Sequence, residues 1–318
     1  MKATDLLSKE EIRSFTRASD LQGWWSVFVD WSLIGGSMAL VAQWPNVGTV
    51  LVALALIGSR QLGLAILTHE CAHYSLFATR WLNDLAGVWL SGAFIWTDLH
   101  RYRTHHKAHH LHTGSDDDPD LGLTTGFPTT RRSMLRKLIR DLVGRTAAQR
   151  TLALLAMDFG FIEYTASTGL RRASARPLGD RIATGLRNLA PVAITNGALL
   201  GLLWFLGHPE LYLLWIGAWF TTFNVVLRNR SIAEHACMPR TDDPLANTRT
   251  TRVGVLGRLF LAPHHVNYHL EHHLIMAVPH WQLPALHRKL VELGATTPVN
   301  TVHGYAEVFR RVTTPVVT

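Results

Sequence analysis

Four apolar runs interrupt an otherwise polar chain: WWSVFVDWSLIGGSMALVAQW (24–44), VGTVLVALALIGSRQLGLAILT (47–68), LAPVAITNGALLGLLWFL (189–206) and LYLLWIGAWFTTFNVVL (211–227). Crossing a bilayer takes about 20 residues, within a range of roughly 17 to 25, so each run can form one span. One such run alone could be a buried helix of a soluble core. Four in a chain of 318 residues are hard to bury in anything but lipid. Only Pro-Asn joins the first two, and only Gly-His-Pro-Glu joins the last two, which predicts two tight helical hairpins. The expected fold is an all-α integral membrane protein, a single domain over 1–318, with a helical cap built from 69–188 and 228–318.

Two shorter apolar stretches fall within that cap. The stretch 85–99 is too short to span, and 151–170 carries Asp158 and Glu163. Both fit helices lying at the interface with their apolar faces against lipid or the bundle. The polar N-terminus lacks the apolar core of a signal peptide. Ser8 followed by Glu11 forms a capping box, predicting a short helix from near Lys9 that brings Arg13 and Arg17 to the foot of the first run.

Charge orients the assembly. Of 31 Lys and Arg residues, 30 lie before residue 24, between 69 and 188, or after 227. All three regions share one side, and the positive-inside rule makes it cytoplasmic, both termini included. The exception, Arg60, sits in mid-span, where an arginine costs about 2.5–3.5 kcal/mol on insertion scales. It must snorkel or pack against a polar interior. The net charge of +8 comes from scattered residues with no nucleic-acid-binding motif, so nucleic acid is set aside. Two cysteines, Cys71 and Cys237, are too few for a disulfide framework or an iron–sulfur cluster.

Histidine is the anomaly, with 18 copies, most of them in bursts. His69 and His73 lie one turn apart at the inner end of the second run. HRYRTHHKAHHLHT (100–113) holds six and HHVNYHLEHH (264–273) five, while His235 follows the fourth run. All fall on the side the charge pattern makes cytoplasmic. His106, His109 and His110 repeat the i, i+3, i+4 spacing of His269, His272 and His273, so each triplet can present two or three imidazoles to a metal. Read alone, HECAH (69–73) is the H-E-x-x-H of a zinc protease, with Glu70 as base. That reading strands both triplets. A metal transporter or sensor fits less well, because the histidines sit in the cap and line no path along the spans. Imidazole suits iron, zinc and copper alike, so ligand type does not choose the metal.

These motifs resemble the membrane fatty acid desaturase and hydroxylase superfamily with its three histidine boxes. HECAH resembles the first box, HKAHH the second and HLEHH the third, and the flanks TGSDDDPDL and HHLIMAVPHWQLPALHRKL are similar too. The resemblance covers roughly residues 47 to 295. It implies four spans, a cytoplasmic cap and a histidine-bound di-iron centre that activates O2. The implied ligands are His69, His73, His106, His109, His110, His269, His272 and His273, with His235 as the additional ligand after the last span. Some members carry a water-bridging Asn four residues before that extra histidine; here the position is Ser231. His105 offers an alternative H-x3-HH spacing and otherwise supports the ligands from a neighbouring stripe. Glu70, Glu234 and Glu271, each beside an implied ligand, are candidates to orient imidazoles. His100, His264 and His265 are not expected to be ligands.

The implied reaction removes two hydrogens from adjacent carbons of a fatty acyl or lipid chain. Hydroxylation or ketolation of an acyl, alkyl or carotenoid chain is the alternative within the superfamily. Each turnover takes two electrons from outside. The chain carries no G-x-G-x-x-G fingerprint, so a separate ferredoxin or cytochrome b5-like donor with its reductase is expected.

Overall fold

A computed structural model describes residues 2–167 and 169–314. The chain is mostly helical. Ser8 accepts from the Glu11 backbone N–H and Glu11 accepts from Ser8, so the expected capping box starts α1 (Lys9–Phe15). Lys289 reaches Glu11 at 2.8 Å and ties this helix to the far end of the chain. Then come α2 (Asp20–Gln43) and α3 (Val47–Ala72), the second opened by an Asn46 cap on Thr49. After α4 (Leu99–His112), α5 (Arg131–Leu142) and α6 (Arg145–Asp158) comes the long α7 (Leu178–Phe205). Next are α8 (Tyr212–Phe220), α9 (Thr222–His235), α10 (His269–Leu274), α11 (Leu283–Glu292) and α12 (Tyr305–Thr313). Two short strands, β1 (Thr250–Arg252) and β2 (Thr301–His303), pair in parallel and fasten the C-terminal segment beside α9.

The four apolar runs each lie in a helix long and apolar enough to cross a membrane: α2, α3, α7 and the α8–α9 unit. Their surroundings differ. In α3 61% of the most apolar stretch is buried, against 17% in α7, so α3 is the central helix and α7 stands mostly free on the outside. α3 packs against α2, α8, α9 and α4. Two glycines of α3 allow close approaches. A Cβ on Gly58 would collide with Thr222, and one on Gly63 with Asp30.

Arg60 packs inward. Its guanidinium pairs with buried Asp30 at 3.1 Å and donates to the Leu259 carbonyl at 2.8 Å. Asp30 also meets His264 Nε2 at 2.8 Å. The α8–α9 unit breaks at Thr221 (φ −124°, ψ −89°), which frees carbonyls inside a membrane span. Side chains re-satisfy them: Thr221 donates to Gly217 O at 2.6 Å and Asn224 to Trp219 O at 2.7 Å.

The two shorter apolar stretches are less regular than continuous helices. A π-helical turn (Ala86–Gly92) and a 3-10 turn (Ala93–Ile95) fill the first, which ends at Trp96 in the left-handed region (φ +54°). The second is helical only to Asp158. There Gly160 (φ +66°) reverses the chain, and an extended pair follows in which the Glu163 N–H donates to Arg171 O and the Ala173 N–H to Phe161 O.

Candidate metal centre

Most of the histidines arrive at or near the end of a helix, His106 in the middle of α4. α3 carries His69 in its last turn and finishes on His73, whose N–H closes onto the carbonyls of His69 and Glu70. Tyr74 (φ +57°) then turns the chain away. Asp98 caps α4 by accepting from the N–H groups of His100 and Arg101, fixing the start of the helix that carries the second box. α9 ends on His235, and α10 presents the third box.

These ends converge into two clusters. His69, His73, His106, His110 and His272 form one; His109, His235, His269 and His273 form the other. Within each, the ligand atoms lie within 4.8 Å of one another. All nine histidines singled out in the sequence are therefore brought together, but each triplet is divided. The i, i+4 pairs 69/73, 106/110 and 269/273 stay in one cluster, while His109 and His272 cross to the other. Adjacent residues on a helix point about 100° apart, so His109 and His110 cannot face the same ion. His110 and His273 bring the clusters together, with ring centroids 4.2 Å apart.

The donor set fits a pair of metal ions. His110 Nε2 lies 3.0 Å from both His106 Nε2 and His272 Nε2, and His235 Nε2 lies 2.9 Å from His269 Nε2. Imidazole–metal distances of about 2.1 Å put two ligands at right angles about 3 Å apart. His69 Nε2, His73 Nε2 and His273 Nε2 are buried without a hydrogen-bond partner among the described residues. Orphaned buried nitrogens are costly unless something accepts their lone pairs.

Protonation agrees with ligand duty. Burial holds His106, His110, His272 and His273 well below the usual histidine range, helped by mutual repulsion, and puts His73 at about 4. His109 differs: burial works against its proton, but the hydrogen bond from Nδ1 to Asp118 (2.8 Å) and the Asp120 charge outweigh it. That bond leaves Nε2 to face the cluster. His235 Nδ1 is similarly held by the Asn247 carbonyl at 3.2 Å.

The three glutamates divide. Glu234 lies 3.3 Å from His269 Nδ1 while accepting from Arg230 at 2.6 Å. Glu70 lies 3.4 Å from His69 Nδ1 without a hydrogen bond, and accepts from Ser75 Oγ (3.1 Å) and the His280 N–H (2.9 Å). A protease base must be free to activate water, and Glu70 is engaged. Glu271 meets His287 and Thr250, not a ligand imidazole, and clamps α10 to α11 and β1. His105 lies outside both clusters, on Asp120 at 2.8 Å. Ser231 donates back to Leu227 O. His264 lies on Asp30 and His265 in neither cluster, while His100 is exposed at the start of α4. Sequence reasoning missed Asp118, although the acidic run after the second box held the signal. The Asn247 contact is made by backbone and leaves no signal at all.

A cavity of about 420 Å³ opens beside the clusters. His106, His109, His235 and His269 line one wall; Leu154, Met157, Phe223 and Leu227 line the apolar side. A second cavity of about 560 Å³ lies next to it, walled by Trp81, Val88, Trp89, Pro191 and Val192. Both are of ligand-binding size.

Comparison with known proteins returns one family. The family model described as fatty acid desaturase matches residues 42–303. An omega-6 fatty acid desaturase, endoplasmic reticulum isozyme 1, of Glycine max is 23% identical over 69% of this chain and 59% of its own length. An sn-1 oleoyl-lipid 12-desaturase of Anabaena variabilis is 23% identical over 85% of this chain and 72% of its own. A beta-carotene ketolase of Paracoccus sp. (strain PC1) is 26% identical over 74% and 78%. The match thus spans less than two thirds of the Glycine max protein.

Proposed function

The chain belongs to the fatty acid desaturase family, and on that premise we propose that it is a membrane oxidoreductase that desaturates a fatty acyl or lipid chain. The observation that carries this reading is the pair of facing clusters with converging, unpartnered imidazole nitrogens. His69, His73, His106, His110 and His272 would hold one iron, and His109, His235, His269 and His273 the other. Such a pair supplies the oxidising power that an unactivated CH2 requires, drawing on O2 and two electrons from a separate donor.

The protein's own part is positioning and exclusion. Asp118 and the Asn247 carbonyl fix the rings of His109 and His235. Leu154, Met157, Phe223 and Leu227 offer an apolar wall that holds a hydrocarbon chain and keeps water from the histidine side. The single domain consists of two helical hairpins under a cap, with cap and termini in the cytoplasm; the one-sided distribution of 30 of 31 basic residues supports this orientation. The basic face suits an acidic ferredoxin or cytochrome b5-like donor. Electron transfer to the purified enzyme should therefore slow as salt rises.

A second reading, hydroxylation or ketolation, is favoured by the similarity to the ketolase. Iron analysis of the purified protein should find about two ions per chain, and zinc without iron would overturn both readings. Lipid analysis of cells expressing the wild type or His106→Ala separates them. A double bond present only with the wild type supports desaturation, and a hydroxyl or keto group supports the second reading.

A further inference from the structure

The two cavities share one wall: Trp96, Thr97, Leu154, Met157 and Tyr164 line both. Trp96 is held across this wall by three features. Its backbone is in the left-handed region, where a bulky side chain is rare. Its indole Nε1 donates to Asp158 at 2.8 Å, and Asp158 is clamped by Arg101 at 2.6 Å. Arg101 in turn faces the Tyr164 ring.

The outer cavity borders α7, the most exposed of the candidate spans. Pro191 and Val192 belong to α7, the least buried span, and Trp81 and Trp89 on the opposite side are 63% and 41% exposed. Exposed tryptophans beside an apolar cavity at the start of a span mark the bilayer interface. Trp96 stands in the wall between that cavity and the histidine-lined one.

We propose that the outer cavity admits an acyl chain laterally from the bilayer, and that Trp96, latched by Asp158, is the gate that decides how far the chain advances. Trp96 is a specificity-determining residue in this scheme, and the substrate is an acyl chain borne by a bilayer lipid. The proposal deepens the desaturase reading and rests on it for the reaction, but not for lipid entry.

The test uses the full chain in phosphatidylcholine nanodiscs, with a photoactivatable diazirine near the acyl terminus. In the wild type, crosslinks should fall on Val88 and Trp89 as well as on the inner wall. Trp96→Ala should raise the share at Phe223 and Leu227 at least threefold. Trp96→Phe, which keeps a ring but cannot reach Asp158, should give a smaller rise and stands in if the alanine variant does not fold. An unchanged map in the variant that folds, or no crosslinks in the outer cavity, overturns the gate. Crosslinking needs no reaction, so a shifted map without any oxidised lipid would count against the desaturase reading alone. Where the wild type yields product, Trp96→Ala should move the position of oxidation along the chain; an unmoved position also overturns the proposal.

Discussion

Nine histidines turn ring nitrogens toward one another, whereas His264 and His280 each turn Nε2 to a local partner, Asp30 and Ser26 respectively, each at 2.8 Å. Both groups are buried, both lie near α3, and both contain residues from the 264–273 burst. His264 and His265 even share the left-handed backbone, at φ +50° and +57°. The difference lies in the partners. A carboxylate or hydroxyl satisfies an imidazole locally, while several imidazole nitrogens aimed at one point satisfy nothing until a cation arrives. Histidine density is therefore a weaker signal than the convergence of nitrogens.

The strongest way to break this contrast is a paired substitution. His272→Ala should abolish product, at least 100-fold, and lower the iron per chain. His264→Ala should leave iron per folded chain unchanged. Iron loss in both, by elemental analysis, would erase the distinction. Next, Asp30→Asn strips Arg60 of its buried countercharge, for which about 3–5 kcal/mol is expected. The melting temperature in detergent should fall steeply while the iron content of the surviving protein holds. On the cluster side, Asp118→Asn should weaken iron binding about 10–100-fold, seen by competition with a chelator, with little change in the melting temperature of the iron-free protein.

Acid acts alike on one clustered histidine, His73, and on His265 outside the clusters once metal is removed. His73 and His265 sit at about 4 in the folded chain, mainly through burial, against about 6.5 when unfolded. Between those values the unfolded chain binds more protons, so stability present above pH 6.5 is lost as pH falls toward 4. Melting temperatures of chelated protein should decline across that window, and a flat profile would contradict it. The smallest effect is Ser26→Ala, which leaves His280 Nε2 unpaired at a cost of about 1 kcal/mol and should leave iron untouched.

Much of this was legible in the chain. Run length placed the four candidate spans, and the boxes supplied eight of the nine clustered histidines, because helical spacing survives folding; His235 came from the family resemblance. The break at Thr221 was not read, since neither Pro nor Gly marks it; the signal was the polar TTFN inside an apolar run. Pro191, the usual breaker, sits inside an unbroken α7. Which histidines of the two triplets share a cluster could not be read either, because it depends on how the helices meet. The same holds for the wall at Trp96, which joins residues far apart in sequence.

The division of the triplets between clusters has a consequence for assembly. One turn of α4 carries His106, His109 and His110, and one turn of α10 carries His269, His272 and His273, so neither of these two turns serves one cluster alone. The conformational entropy lost in fixing those turns is a common cost, incurred with the first ion and largely spared to the second. Filling of the two clusters should consequently be cooperative, with half-loaded protein scarce at every iron concentration.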